Sequence, residues 1–181
     1  MRQRVEELIE KYKDTVFRAA LSVSRNPEDA EDVVQDTFIQ YMNSPRQFES
    51  EDHIKAWLIH VAINKSRNVV NSFWNRKRVK FDDYLENTKF QEPEDRRLVE
   101  AVFSLPEKQR IVIHLYYYEE YSVREIAETL HISEGTVKSR LARGRNELRS
   151  ILKEEWDDDE KGKIQTGIFI TAYAGELCFG P

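Results

Sequence analysis

SVREIAETLHISEGTVKSRLARGRNELRSI, from Ser122 to Ile151, joins two helical patterns across a tight polar junction. In the first pattern Val123, Ile126, Ala127 and Leu130 recur at the spacing that sets them along one side of a helix, which ends by His131. The second opens at Ser133, whose hydroxyl suits an N-cap, and places Val137, Leu141, Leu148 and Leu152 on one stripe. At about 100° per residue, the direction facing away from that stripe falls near Ser139, Arg143 and Asn146. Thr136, Lys138 and Arg140 flank it. Hydroxyls, amides and cations of this kind bond phosphates and base edges. Two helices joined by a turn of three or four residues, the second basic on its free face, read as a helix-turn-helix whose second helix enters a DNA major groove. From this stretch alone, a helical hairpin with a merely solvated charged face remains the alternative.

Composition sets the frame around that stretch. A chain of 181 residues that is 40% hydrophobic makes one domain or two small ones. Only six glycines and five prolines, with 34% charged residues, favour a mostly helical soluble protein. The single cysteine, Cys178, excludes an internal disulfide framework and a cysteine-rich zinc site, and it fits a reducing cytoplasm. MRQRVEELIEKYKD at the start lacks the apolar core of a signal peptide. No stretch approaches the ~18 apolar residues of a membrane span, so a cytoplasmic protein without membrane insertion is expected.

The formal net charge of −5 is unusual for a nucleic-acid binder, but the charge is segregated. From His53 to Phe81 there is no Asp or Glu, while Lys55, Lys65, Arg67, Arg76, Lys77, Arg78 and Lys80 are basic. Glu28, Asp29, Glu31, Asp32 and Asp36 crowd together, and Asp157 to Glu160 form a second acidic run. A protein that touches DNA with one surface and a basic protein partner with another has this pattern.

Taken from its start, the chain shows a first amphipathic helix over residues 4–24, with Val5, Leu8, Ile9, Tyr12, Val16, Phe17, Ala20 and Leu21 at helical spacing. Asn26-Pro27 closes it and opens a second helix whose buried side is Ala30, Val33, Val34, Phe38 and Tyr41. Asp29, Asp32, Gln35 and Asp36 lie toward its other side, a partner face or simply a solvated one. A third helix runs from about Asp52 to Asn75 on Ile54, Trp57, Leu58, Val61, Ala62, Val69, Val70 and Phe73. Within it Asn64, Lys65, Ser66, Arg67 and Asn68 gather amide, hydroxyl and cationic groups suited to phosphates and unstacked bases, though a plain polar helix surface is equally compatible. Phe73-Trp74 followed by Asn75-Arg76-Lys77-Arg78 sets aromatics beside cations, which suits a single strand. For Phe73 a place in the core is the preferred reading.

DDYLENTKFQEPED, residues 82–95, loses periodicity and reads as an interdomain linker. Helix resumes over 96–104 with Leu98, Val99, Val102 and Phe103; Leu105-Pro106 then starts another, whose Ile111, Val112, Leu115 and Tyr116 point inward. The expected fold is therefore all-α: two small helical domains, 1–81 and 96–154, joined by a flexible linker, with the helix-turn-helix in the second. The tail, residues 155–181, ends in GKIQTGIFITAYAGELCFGP, apolar and β-prone at Ile168 to Thr171. An artificial or frame-altered tail, a disordered end and a strand that docks on a partner all remain open for it.

No catalytic set stands out. Glu28, Asp29, Glu31 and Asp32 are near neighbours on one helix, without accompanying histidines or a calcium-loop pattern. His53, His60, His114 and His131 are dispersed. Neither a metal nor a cofactor is expected, and an enzyme is not indicated.

Two blocks, AEDVVQDTF with the downstream AWLIHVAIN, and LPEKQRIVIHLYYYEEYSVREIAETLHISEGTVKSRLARGRNEL, resemble in order and separation the bacterial RNA polymerase sigma factors of the extracytoplasmic-function group. The similarity covers residues 1 to about 154. The resemblance implies a promoter-specificity subunit whose first domain binds the −10 element and helps open it, and whose second domain reads the −35 element. It implies that Asp29, Asp32, Gln35 and Asp36 dock on the clamp helices of the polymerase β′ subunit, and that Asn64, Lys65, Ser66, Arg67 and Asn68, with Arg76 and Arg78, contact −10 DNA. Thr136, Lys138, Ser139, Arg140 and Arg143 become the −35 contacts. Trp57 matches the family tryptophan and is assigned to packing. An anti-sigma factor that clamps both domains is a further implied partner. A transcriptional regulator that uses its helix-turn-helix without polymerase is the rival expectation. One departure stands in the turn, where His131 occupies a position at which the family often has glycine.

Overall fold

Three helices build the first unit: α1 (Val5–Ser24), α2 (Pro27–Asn43) and α3 (Glu51–Asn71). The computed structural model describes residues 4–71, 81–88 and 93–152. α1 stops because Arg25 turns left-handed at φ 53°, its amide donating to the Leu21 carbonyl. Asn26 then caps α2, its Oδ1 accepting from the Glu28 amide at 3.0 Å, and Pro27 takes the first helical position, where its missing amide costs nothing. The reversal lays α2 along α1, and α3 packs against both. Leu8, Phe17, Leu21, Val33, Phe38, Ile54, Leu58 and Ile63 fill the space between them. Each such side chain contributes about 1.5–3 kcal/mol by leaving water.

The loop between α2 and α3 is less polar than it reads. Phe48 is buried, stacked on Tyr41 at 5.7 Å and edge-on to Trp57 at 5.6 Å. Trp57 also meets Tyr41 edge-on, so its ring belongs to a packing cluster, as expected. Glu51, at the start of α3, accepts from the Tyr12 hydroxyl at 2.8 Å and from the Lys11 ammonium, pinning α3 to α1.

α4 (Phe81–Asn87) begins one residue before the segment read as the linker, 82–95, and gives its first half helical structure. Phe81 and Leu85, one turn apart, are both buried, an apolar pair too short to stand out as a helical period in the sequence. The chain divides into two compact units between Tyr84 and Leu85. The expected continuation of α3 to Asn75, with Phe73, Arg76 and Arg78, lies outside the described residues, as does the tail.

α5 (Pro93–Ser104), α6 (Glu107–Tyr117), α7 (Val123–Leu130) and α8 (Glu134–Leu152) form the second unit. Buried Arg110 joins the first two: its Nη1 donates to the carbonyls of Phe103 at 3.1 Å and Leu105 at 2.6 Å, orphan acceptors at the end of α5. Ser122 and Glu125 form a reciprocal capping box at the start of α7. The α7–α8 junction is left-handed at His131, φ 53° and ψ 47°, so a residue with a Cβ holds the position that glycine occupies most cheaply. Ser133 caps α8 by accepting from the Thr136 amide at 3.1 Å. Both halves of the expected helix-turn-helix are present, and among the described residues all regular structure is helical.

Candidate nucleic-acid and partner interfaces

α8 is the best-defined of the three candidate surfaces. Val137, Leu141, Gly144 and Leu148 face the core, which turns Lys138, Ser139 and Arg143 outward. Thr136 and Arg140 are half-buried on the flanks. The Thr136 hydroxyl lies 2.9 Å from that of Ser133, so it is shared with the cap. Lys138 Nζ sits 3.7 Å from Glu134 one turn earlier, an exposed pair that solvent weakens and a phosphate can replace. Arg145 turns the other way: its Nε donates to the Tyr117 hydroxyl at 2.8 Å, and its guanidinium lies 5.3 Å and 5.6 Å from the ring centres of Tyr116 and Tyr117. The second cation of the ARGR stretch thus ties α8 to α6.

On α3 the five residues 64–68 do not share one face. Asn64 and Asn68 are exposed, and Lys65 and Arg67 are half-buried. The Asn64 amide nitrogen is 2.8 Å from His60 Nε2, one turn back. Ser66 must be withdrawn from the DNA-facing set. It falls on the inward stripe with Ile59, Ala62 and Ile63 and is 0% exposed.

On α2, Asp32, Gln35 and Asp36 stand exposed on one stripe, whereas Asp29 in the first turn is half-buried. The structure adds two residues that the reading by charge missed. Ile39 and Met42 are 53% and 52% exposed and continue the acidic stripe by a turn and more. These two apolar side chains stand in water beside the charged row. A signal was available, because the helical period already leaves Ile39 outside the buried set. Asp36 also reaches the α3 surface, its Oδ2 lying 3.5 Å from Lys65 Nζ.

Among the described residues, no group of three or more His, Cys, Asp or Glu could hold a metal ion, and no helix is long and apolar enough to cross a membrane.

Comparison with known proteins places both units. The family described as Sigma-70 region 2 matches residues 8–77, and Sigma-70, region 4 matches residues 95–148. The ECF RNA polymerase sigma factor SigM of Bacillus subtilis (strain 168) is 30% identical over 166 residues, covering 86% of this chain and 99% of that protein. SigW of the same organism, also an ECF RNA polymerase sigma factor, is 29% identical over 171 residues, covering 82% and 88%. Among solved structures, that of CnrH in complex with the cytosolic domain of CnrY superposes with a TM-score of 0.63 at 26% identity, over 84% of this chain and 89% of that one. With both halves of the fold matched in order and a relative aligned along nearly its whole length, the chain belongs to the sigma-70 family, as an RNA polymerase sigma factor of the ECF type.

Proposed function

We propose that this protein binds core RNA polymerase through α2 and directs initiation at promoters whose −35 element is read by α8 and whose −10 element is held by α3. The observation that carries the reading is the division of charge between faces: Asp32, Gln35 and Asp36 exposed on α2, against Lys138, Ser139 and Arg143 exposed on α8. An acidic row extended by Ile39 and Met42 suits a basic helical partner with apolar anchors, the role the β′ clamp helices would fill. Asn64, Lys65, Arg67 and Asn68 would receive bases once they leave the stack, favouring the open duplex by a population shift. Division of labour follows. The protein supplies position and sequence discrimination and works in the cytoplasm, while phosphoryl transfer belongs to the polymerase. An anti-sigma factor that clamps both units is part of the proposal, in keeping with the solved complex of CnrH with the cytosolic domain of CnrY.

Run-off transcription with core polymerase and genomic fragments, followed by mapping of the start sites, tests this reading. Added initiation at a defined set of starts is expected, and none would overturn it. The rival regulator without polymerase is separated by Asp32→Lys with Asp36→Lys: the double variant should lose core binding in a pull-down while keeping duplex affinity.

A further inference from the structure

At Gly144 α8 packs directly on α6: a Cβ there would stand 2.9 Å from Ile113 Cγ1 and 3.6 Å from Gln109 Cβ. That approach brings the first turn of α6 beside Arg140 and Arg143. Between them opens a cleft of about 380 Å³, lined by Pro106, Glu107, Lys108, Gln109, Arg140 and Arg143. Its lining carries three cations, Lys108 from α6 and Arg140 and Arg143 from α8, and one carboxylate, Glu107. No side chain caps the start of α6, so the helix presents its positive end at the same place.

The position relative to α8 names the occupant. A helix is roughly 10–12 Å across and B-DNA's major groove about 12 Å wide, so the flanks of a reading helix run against the phosphates of the groove walls. Arg140 is such a flank residue, half-buried beside the outward face of α8. We propose that the cleft seats one backbone phosphate of the duplex that α8 reads, with exposed Lys108 and half-buried Arg140 as its ionic partners and Arg143 at the rim between phosphate and bases. Lys108 is then a positioning residue: it sets how far α8 enters the groove without carrying sequence information. The inference rests on α8 being the groove-reading helix.

The test uses the full chain with two duplexes of equal length, one spanning the upstream element mapped from the start sites and one of random sequence. Lys108→Ala removes an exposed cation from the positive end of a helix, so the unfolding midpoint should hold or rise slightly. It should weaken both duplexes by the same factor and lower the slope of log affinity against log salt by about 0.9. Lys108→Arg should restore the slope. On duplexes with a single neutral methylphosphonate moved along the element, the wild type should lose affinity at one position where Lys108→Ala loses less, Arg140 remaining to hold the phosphate. An unchanged salt slope, or the same methylphosphonate profile in both proteins, overturns the proposal. If Lys138→Ala and Arg143→Ala also change nothing, α8 is not the reading helix, and the fault lies in the functional reading rather than in the cleft.

Discussion

Lys65 Nζ on α3 lies 3.5 Å from Asp36 Oδ2 on α2, so the helix proposed to hold −10 DNA and the helix proposed to hold polymerase are joined by an ion pair. The lysine side chain is 27% exposed and the aspartate 65%. A pair this wet is worth about 0.2–1 kcal/mol and is screened by salt. A double-mutant cycle on unfolding free energy with Lys65→Met and Asp36→Asn should give a coupling of about 0.5 kcal/mol at low salt, vanishing near 1 M. A coupling unaffected by salt would show that the two residues interact through packing instead.

Arg143 and Lys138 are both exposed on α8 but should fail differently. Arg143→Ala is expected to cost roughly 1–3 kcal/mol on the upstream element and much less on random duplex, as for loss of a base contact. Lys138→Ala should weaken both alike and reduce the salt slope by about one. Equal loss on both duplexes for Arg143→Ala would show that it faces phosphate.

The left-handed His131 makes a stability prediction. A β-carbon costs about 1–2 kcal/mol in that conformation, and the extra unfolded-state freedom of glycine returns part of the gain. His131→Gly should raise the unfolding free energy of the second unit by roughly 0.5–1 kcal/mol, and His131→Val should lower it. Urea titrations of the three proteins decide this.

Gly144→Ala sets two effects against each other. Helix propensity favours alanine by about 0.8–1 kcal/mol. The added methyl would meet Ile113, a buried β-branched residue with little room to move, and overpacking costs about 1–3 kcal/mol. Net destabilisation of roughly 1 kcal/mol is expected, with weaker duplex binding because α8 is pushed from α6. A thermal melt above the wild type would refute the close contact.

Tyr12 titrates against the fold. Burial first, and then its bond to the Glu51 carboxylate, raise the phenol above its ordinary value near 10. Lys11 is raised in the same direction by its bond to Glu51. A raised group lends stability that is complete below the unfolded value and is lost as pH climbs through the folded one. Stability should therefore fall above about pH 10. Tyr12→Phe should be less stable at neutral pH by about 1 kcal/mol and decline less steeply in alkali, as read from urea midpoints between pH 8 and 11.

Local rules made much of this protein legible from its chain. Asn26-Pro27 and the Ser133 cap each act within four residues, so the helix boundaries they set could be read directly. The 3.6-residue period likewise separated Val137, Leu141 and Leu148 from Lys138, Ser139 and Arg143. What periodicity could not decide was the fate of residues near the edge of a face, because burial there depends on a neighbour distant in sequence. Ser66 belonged to a polar run and went inside; Ile39 and Met42 are apolar and stayed out. Arg145 shared a basic stretch with Arg143, yet Tyr116 and Tyr117 on another helix took it. The Lys65–Asp36 pair and the Lys108 cleft exist only because packing brings separate helices within a few ångströms. Sequence by itself determined where the helices of the helix-turn-helix lie and which family the chain resembles, since caps and period are local. Tertiary structure decided which polar groups those helices keep on offer, since exposure is a property of the assembled core.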